Sequence, residues 1–294
     1  MSGYVGRFAP SPTGPLHAGS LVAALASRCD ALLHAGEWLL RIEDIDPPRE
    51  VPGAADSIVA VLEALGMRWS REIVRQSQRD LAFSTAFARL SARGLVYPCA
   101  CTRSEIAAAA TRKTADGEPV YPGTCAHGLA PDRAARAWRL RMPDERLSFE
   151  DRWAGLQTEN PAHETGDIVI RRADGLWAYQ LAVVVDDIDA GVTDIVRGDD
   201  LLHSTVRQIA LRRALRARPG RYLHVPVVRN AQGEKLSKQT HAPAIEPKQA
   251  LPALHTAAAQ LGMPVEADTV AQFWRAAPHA WEALLRSRAA LERC

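Results

Sequence analysis

Tyr4-Val5-Gly6-Arg7-Phe8-Ala9-Pro10-Ser11-Pro12-Thr13-Gly14-Pro15-Leu16-His17-Ala18-Gly19-Ser20 is the stretch that decides the fold. Residues 4–8 read as a short strand, and residues 9–17 as a turn, because closely spaced prolines and Gly14 punctuate any regular element. A helix is expected next. Ser20 suits an N-cap, residues 21–35 are rich in Ala and Leu, and Gly36 stops the run. A strand that turns directly into a helix leaves unpaired backbone N–H groups and the positive end of the helix dipole facing one point, which favours a phosphate. Gly14 and Gly19 let a ligand approach the backbone, and His17 adds a side-chain donor. Taken alone, the same residues also read as a proline-rich connection with a surface histidine.

Working outward, residues 38–42 read as a buried strand ending in Glu43-Asp44, Pro47-Pro48 begins a new segment, and residues 54–65 form a second helix closed by Gly66. Strand, turn, helix, strand, helix is the start of a doubly wound parallel sheet. The pattern breaks near Tyr97. From there to about Ala178 the chain is irregular, with Gly/Pro turns, three clustered cysteines and a run of Arg133, Arg136, Arg139 and Arg141. It resumes with an apolar strand at 181–185, a helix-like segment at 204–215 and a strand at 222–228. The expected architecture is therefore α/β: a Rossmann-like doubly wound parallel sheet split into residues 1–94 and 180–238. Residues 95–179 are inserted as a subdomain, and residues 239–294 form a helical C-terminal segment.

Composition agrees with such a globular chain. It has 294 residues, 47% of them hydrophobic, and at about 150 residues per domain this length suits roughly two domains. No apolar run approaches the roughly 20 residues that span a bilayer, and the prolines of the first 16 residues leave no signal-peptide core. A cytoplasmic, monomeric protein without a membrane partner is expected, its five cysteines reduced. A net charge of +2 excludes a polycation that holds nucleic acid by bulk attraction. Local patches remain: Arg207, Arg212, Arg213, Arg216, Arg218 and Arg221 lie in an acid-free segment, 203–221, and Trp138, Trp153 and Trp177 are candidates to stack on a base. Individually these arginines read equally well as solvated helix faces.

Three further constellations carry chemistry. Arg7 and Glu43 lie at the carboxyl ends of neighbouring expected strands, where open α/β sheets bind ligands. A guanidinium and a carboxylate facing one crevice suit a zwitterion, Arg7 for its carboxylate and Glu43 for its ammonium, and they suit a strand-end ion pair equally well. Tyr179 and the turn Arg197-Gly198-Asp199-Asp200 flank the resumed strand. Arg197 is a candidate for a second substrate carboxylate, or for a salt bridge to Asp194 or Asp199. The loop Gly233-Glu234-Lys235-Leu236-Ser237-Lys238 holds two of only four lysines among 36 basic residues, which suggests compact, mobile charges following a polyphosphate.

Together, residues 7–20, Arg41-Ile42-Glu43-Asp44-Ile45-Asp46, Arg197-Gly198-Asp199-Asp200 and Lys235-Leu236-Ser237-Lys238 resemble the class I glutamyl-tRNA synthetases, the first and last matching that class's two ATP-binding motifs. The resemblance covers residues 1 to about 240. Ser20, the run Asp44-Ile45-Asp46-Pro47-Pro48-Arg49-Glu50 and the short tail make the chain more similar to shortened paralogues of that family. The tail, 239–294, is too short for an anticodon-binding domain of about 100–150 residues. The resemblance implies glutamate binding by Arg7, Phe8, Ala9, Pro10, Ser11, Glu43, Tyr179 and Arg197. It implies ATP binding by His17, Gly19 and Lys238, with His17, Lys235 and Lys238 as the catalytic groups and Mg²⁺ accompanying ATP. The implied reaction activates L-glutamate as the adenylate without tRNA and passes the glutamyl group to queuosine at the wobble position of tRNA(Asp). Charging of a tRNA 3′ end, or tRNA binding without catalysis, are the alternatives. The resemblance further implies a structural Zn²⁺ on Cys99, Cys101, Tyr121 and Cys125, with His127 competing for the fourth position.

Overall fold

The computed structural model describes residues 3–228 and 244–291. The first half runs β1 (Val5–Phe8), α1 (Ala18–Leu33), β2 (Glu37–Ile42), α2 (Ala54–Ala64), β3 (Val74–Arg75) and α3 (Asp80–Ala92). The middle follows as β4 (Val96–Cys99), α4 (Arg103–Ala109), β5 (Ala137–Leu140), β6 (Leu147–Asp151), β7 (Gly155–Glu159), α5 (Pro161–Glu164) and β8 (Ile168–Arg171). Then come α6 (Tyr179–Asp189), β9 (Asp194–Gly198), α7 (Thr205–Ala214), β10 (Arg221–Val225), α8 (Ala250–Gln260) and α9 (Val270–Leu291).

β1 pairs in parallel with β2, β2 with β3, and β9 with β10. The two groups meet where Thr193 N–H donates to the Val5 carbonyl at 2.9 Å, which sets β1 beside β9. Strand order thus reverses between β1 and β9, the point at which a doubly wound sheet opens a ligand crevice beyond its carboxyl ends. One core lies on the α1 side of the sheet, built on Trp38, Leu25, Phe273 and Trp281. The second lies on the α6 side, built on Phe83, Leu181, Val184 and Leu211.

The middle segment makes two different attachments. β4, β5 and β8 form an antiparallel sheet of their own. The hairpin β6–β7 instead extends the main sheet, because β6 pairs in parallel with β10. At the C-terminus α8 and α9 close over α1, and Trp281 donates its indole N–H to Asp30 at 3.1 Å. Asp30 also accepts from the Tyr4 hydroxyl at 2.6 Å and pairs with Arg152, so one buried carboxylate ties together β1, α1, the β6–β7 turn and α9.

Two local expectations are corrected. Residues 181–185 are not a strand. They lie in α6, whose residues from Leu181 to Asp187 are all buried; a helix enclosed on nearly every side shows no polar face, so its apolar run mimics a core strand. The first helix begins at Ala18, capped by His17 rather than Ser20: His17 Nδ1 accepts from Ser20 N–H at 3.4 Å. At its other end Ala35 takes the left-handed conformation, with φ of 48°. Gly36 is required for a separate reason, since a Cβ there would lie 2.6 Å from the Tyr4 carbonyl oxygen.

Candidate active site

Arg7 in β1, Glu43 just beyond β2, Tyr179 in the first turn of α6 and Arg197 in β9 converge on the crevice at the strand-order reversal. Burial pushes the Tyr179 phenol up to about 12, the Glu43 carboxylate pushes it the same way, and Arg197, Arg7 and Arg41 act against them. Glu43 itself is raised by burial, with Arg41 and Arg7 opposing. The neighbouring turn is pinned to this edge, because Glu43 N–H donates to the Pro10 carbonyl at 2.9 Å and Val51 N–H to the Pro12 carbonyl at 3.0 Å. Ala9 and Pro10 are half-buried and Ser11 is exposed. Phe8 departs from this rim: its ring is buried in the core, nearly parallel to Trp38 at 6.4 Å between centroids, so only its backbone faces the crevice side.

Two buried arginine networks hold the site. In the first, Arg7 Nε donates to Asp187 at 3.2 Å, Arg41 Nη1 donates to Asp187 at 2.6 Å, and Arg41 Nη2 donates to Glu43 at 3.1 Å. Asp186 lies 3.8 Å from Arg41 Nε and accepts from Gln76 and Arg79 at 2.8 and 3.1 Å. Burial works against the Asp187 charge, but Arg7 and Arg41 hold its carboxyl down to about 2. In the second network, Arg197 donates to His224 Nε2 at 2.9 Å, Gln208 Oε1 at 2.7 Å and Thr205 Oγ1 at 2.8 Å. All three acceptors are neutral, and among the described residues Arg197 makes no ion pair. The expected alternatives for it are otherwise engaged: Asp194 pairs with Arg221 at 2.6 Å, and Asp199 accepts from Val227 N–H. A guanidinium only 5% exposed, its charge opposed by burial, is therefore held without a carboxylate.

His17 caps α1 with Gly19 in the same first turn, and the backbone of His17 bridges to Ala244, while Ile245 N–H donates to the Leu16 carbonyl at 2.9 Å. The chain beyond residue 243 thus begins beside His17, the cap residue at the end of the proline-rich turn. Lys235 and Lys238, with the rest of that loop, lie outside the described residues.

The thiols of Cys99, Cys101 and Cys125 lie within 4.8 Å of one another. Cys101 Sγ is 3.5 Å from Cys125 Sγ, and the Tyr121 hydroxyl lies 3.4 Å from Cys99 Sγ and 3.9 Å from Cys101 Sγ. A tetrahedron of ligands at zinc–sulfur distances of about 2.3 Å has edges of about 3.8 Å, so three thiols and the phenol already have the size of a closed zinc site. His127 is exposed and is not part of the cluster. Arg139 braces the cluster, stacking on Tyr121 at 3.6 Å and donating to Cys99 Sγ at 3.3 Å.

Between this cluster and Tyr179 runs a cleft of about 820 Å³, whose walls include Arg103, Arg136 and Arg139 together with Arg49 and Arg172, the last two paired with Asp46 and Asp174. The basic residues first grouped by sequence are distributed differently. Arg212 is buried and donates to the carbonyls of Arg218 and Val192, and Arg221 is spent on Asp194, so segment 203–221 presents no continuous basic face. The tryptophans are occupied as well. Trp177 is buried and bonded to Asp80, Trp153 stacks on Trp281 under Arg288, and Trp138 packs edge-on against Phe87.

A family profile described as the catalytic domain of class I tRNA synthetases (E and Q) matches residues 4–266. The chain belongs to that family. Within it, the glutamyl-Q tRNA(Asp) synthetase of Burkholderia cenocepacia (strain HI2424) is 58% identical over 290 residues, 95% of this chain and 96% of the relative. The protein of the same name from Bordetella bronchiseptica is 57% identical over 282 residues, 95% of this chain and 88% of the relative. Among solved structures, the glutamate-tRNA synthetase of Elizabethkingia anophelis superposes with a TM-score of 0.70 at 26% identity, over 81% of this chain and 53% of that one. A glutamate tRNA ligase of Elizabethkingia meningosepticum, in complex with its amino acid, gives 0.69 at 27% identity, over 80% and 52%. The chain spans about half the length of these two solved structures and nearly the whole length of the curated relatives.

As a class I synthetase, the chain carries its site on more residues than the motifs name. Arg41 stands inside the quoted Arg41–Asp46 motif, and its ion pairs mark it as the link between Glu43 and Asp187. Asp151, Asp187, Thr205, Gln208 and His224 carry no spacing signal; Asp187 belongs to an aspartate-rich stretch, and the others become visible only when the strands are paired.

Proposed function

We propose that this class I synthetase activates L-glutamate with ATP in the absence of RNA and transfers the glutamyl group to queuosine at the wobble position of tRNA(Asp). The observation that carries the reading is Arg197, a buried cation in the crevice whose partners among the described residues are all neutral. Glutamate brings two carboxylates and an ammonium. One carboxylate must react, and the other needs a fixed cation. Arg7 and Arg197 serve the carboxylates and Glu43 the ammonium, with Tyr179 closing the crevice and the 8–11 backbone forming its rim.

In the first step an oxygen of the reacting carboxylate attacks the α-phosphorus of ATP, and pyrophosphate leaves with its Mg²⁺ as part of the nucleotide substrate. In the second a hydroxyl of the queuosine cyclopentenediol attacks the acyl carbon, its proton is lost and AMP departs. No protein nucleophile is needed. Alignment and charge stabilisation supply the acceleration, from His17, the α1 N-terminus with Gly19, and, by the motif they occupy, Lys235 and Lys238. The 820 Å³ cleft gives an anionic RNA loop a net basic approach to Tyr179.

Cys99, Cys101, Tyr121 and Cys125 would hold a zinc ion that fixes β4 against the 121–125 turn and takes no part in the chemistry. Metal analysis of the purified protein is expected to give one zinc per chain, lost in Cys101→Ser; full occupancy in that variant rejects the ligand set. We place the protein in the cytoplasm as a monomer; among the described residues no helix is long and apolar enough to cross a membrane.

The deciding experiment offers labelled glutamate and ATP with tRNA(Asp) that carries or lacks queuosine. Label is expected only on the queuosine-containing tRNA. Equal labelling of both, or labelling confined to a glutamate-accepting tRNA, overturns the transfer step in favour of 3′-end charging.

A further inference from the structure

Arg197 and His224 are direct neighbours in the parallel register of β9 and β10, so their side chains share one face of the sheet. His224 is fully buried. Its Nδ1 lies 2.6 Å from Asp151 Oδ2, and its Nε2 lies 2.9 Å from Arg197 Nε and 3.1 Å from Thr205 Oγ1. An ionised carboxylate only accepts, and Arg Nε–H only donates. The sole neutral tautomer that satisfies both contacts carries its proton on Nδ1 and leaves Nε2 free to accept from Arg197.

We infer that Asp151 and His224 are positioning residues that aim Arg197 at the substrate carboxylate, Asp151 by fixing the tautomer and His224 by supplying the acceptor. The inference rests on the reading of Arg197 as a glutamate ligand. It is independent of the catalytic motifs, since neither residue lies in them.

The carboxylate is built for this task. Asp151 Oδ1 is claimed by three backbone donors, Trp153 N–H at 3.0 Å, Ala154 N–H at 2.9 Å and His224 N–H at 3.2 Å. Oδ2 alone is left for the imidazole. In Asp151→Asn the three N–H groups hold the amide oxygen in the Oδ1 place, so the NH₂ group must face His224 Nδ1. That reverses the imidazole tautomer and points an Nε2–H at Arg197 Nε–H, donor against donor. The side chain remains isosteric and the backbone contacts survive, while Arg197 loses the acceptor that orients its plane. Loss of the supporting hydrogen bond of a metal ligand costs about 10–100-fold in affinity or activity, the scale taken for Arg197, and a reversed tautomer is a recognised way of losing function with geometry intact.

The test has two readings on the full chain. In ¹⁵N-histidine NMR, with the His224 signals assigned by their loss in His224→Gln, the unsubstituted protein is expected to show protonated Nδ1 and bare Nε2, and Asp151→Asn the reverse. An Nε2–H tautomer or an imidazolium in the unsubstituted protein overturns the inference without relying on any variant's folding. In glutamate-dependent pyrophosphate exchange, Asp151→Asn is expected to raise KM for glutamate about tenfold or more while moving KM for ATP less than about twofold. Arg197→Lys, assayed in parallel, separates the two claims. A raised glutamate KM in Arg197→Lys with an unchanged one in Asp151→Asn rejects the positioning role; unchanged values in both reject Arg197 as the glutamate ligand.

Discussion

Arg41 and Arg197 are buried to nearly the same degree, 4% and 5% exposed, in strands on opposite sides of the reversal point. Their surroundings differ in kind. Carboxylates of Asp187, Glu43 and Asp186 surround Arg41 and outweigh the burial that opposes its charge, whereas Arg197 meets an imidazole, an amide, a hydroxyl and a carbonyl and is lowered by burial. Equal burial thus accompanies a closed ion network in one case and, in the other, a cation with no carboxylate partner among the described residues, the one we propose to hold the substrate anion. What separates Arg41 from Arg197 is whether a carboxylate among the described residues supplies the counter-charge.

The largest expected effect breaks the closed network. Asp187→Asn leaves Arg7 and Arg41 undercompensated inside the sheet, and removal of one member of a buried pair costs about 3–5 kcal/mol. Equilibrium urea unfolding is the measurement; a loss under about 1 kcal/mol would show that Asp186 and Glu43 suffice. Next is Arg197→Met. Because no carboxylate among the described residues is stranded by it, stability is expected to change by only about 1–2 kcal/mol in either direction, while kcat/KM for glutamate falls by about 2–4 kcal/mol of lost charged hydrogen bonding. Destabilisation as large as that of Asp187→Asn would mean that Arg197 is structural after all.

The smallest effect is the acid dependence. Asp187 titrates at about 2 in the fold against 3.8 unpaired, so its stabilisation is complete above about pH 4 and is lost as pH falls toward 2. His224 is lowered too, but because burial disfavours its charged form: it is held below its ordinary 6.5, the unfolded chain takes the proton first, and stability declines as pH drops below about 6.5. Denaturation midpoints between pH 7 and 2 are expected to show both windows, with Asp187→Asn flattening only the lower one. A variant profile parallel to the parent's below pH 4 would remove Asp187 from the network.

The closed and open networks were unequally legible in the sequence. Arg7, Glu43 and Arg197 stand at strand ends, and the turn between residues 9 and 17 announces itself through its prolines and Gly14, so the main elements of the first half follow from local rules. That Arg197 meets no carboxylate among the described residues does not. Asp194 and Asp199 are close in sequence and read as its partners, but the register of β10 against β9 and the turn toward Val227 take both away. Asp151 and His224 come from strands separated by the whole of β7 to α7, and only the parallel pairing of β6 with β10 joins them. The helix at 179–189 was hidden for another reason, since enclosure by the sheet, α3 and α7 erased the periodicity that marks a surface helix. The basic run at 203–221 illustrates the same limit: helical turns and β10 direct its arginines to different neighbours, which residue counting along the chain does not reveal.

Glutamate activation at Arg197 is tested most directly by pyrophosphate exchange of the purified protein with ATP, Mg²⁺ and L-glutamate and with no RNA present. Exchange dependent on glutamate, and reduced at least about thirtyfold in kcat/KM by Arg197→Met, is the predicted result. Absence of glutamate-dependent exchange, or exchange indifferent to Arg197→Met, would contradict it.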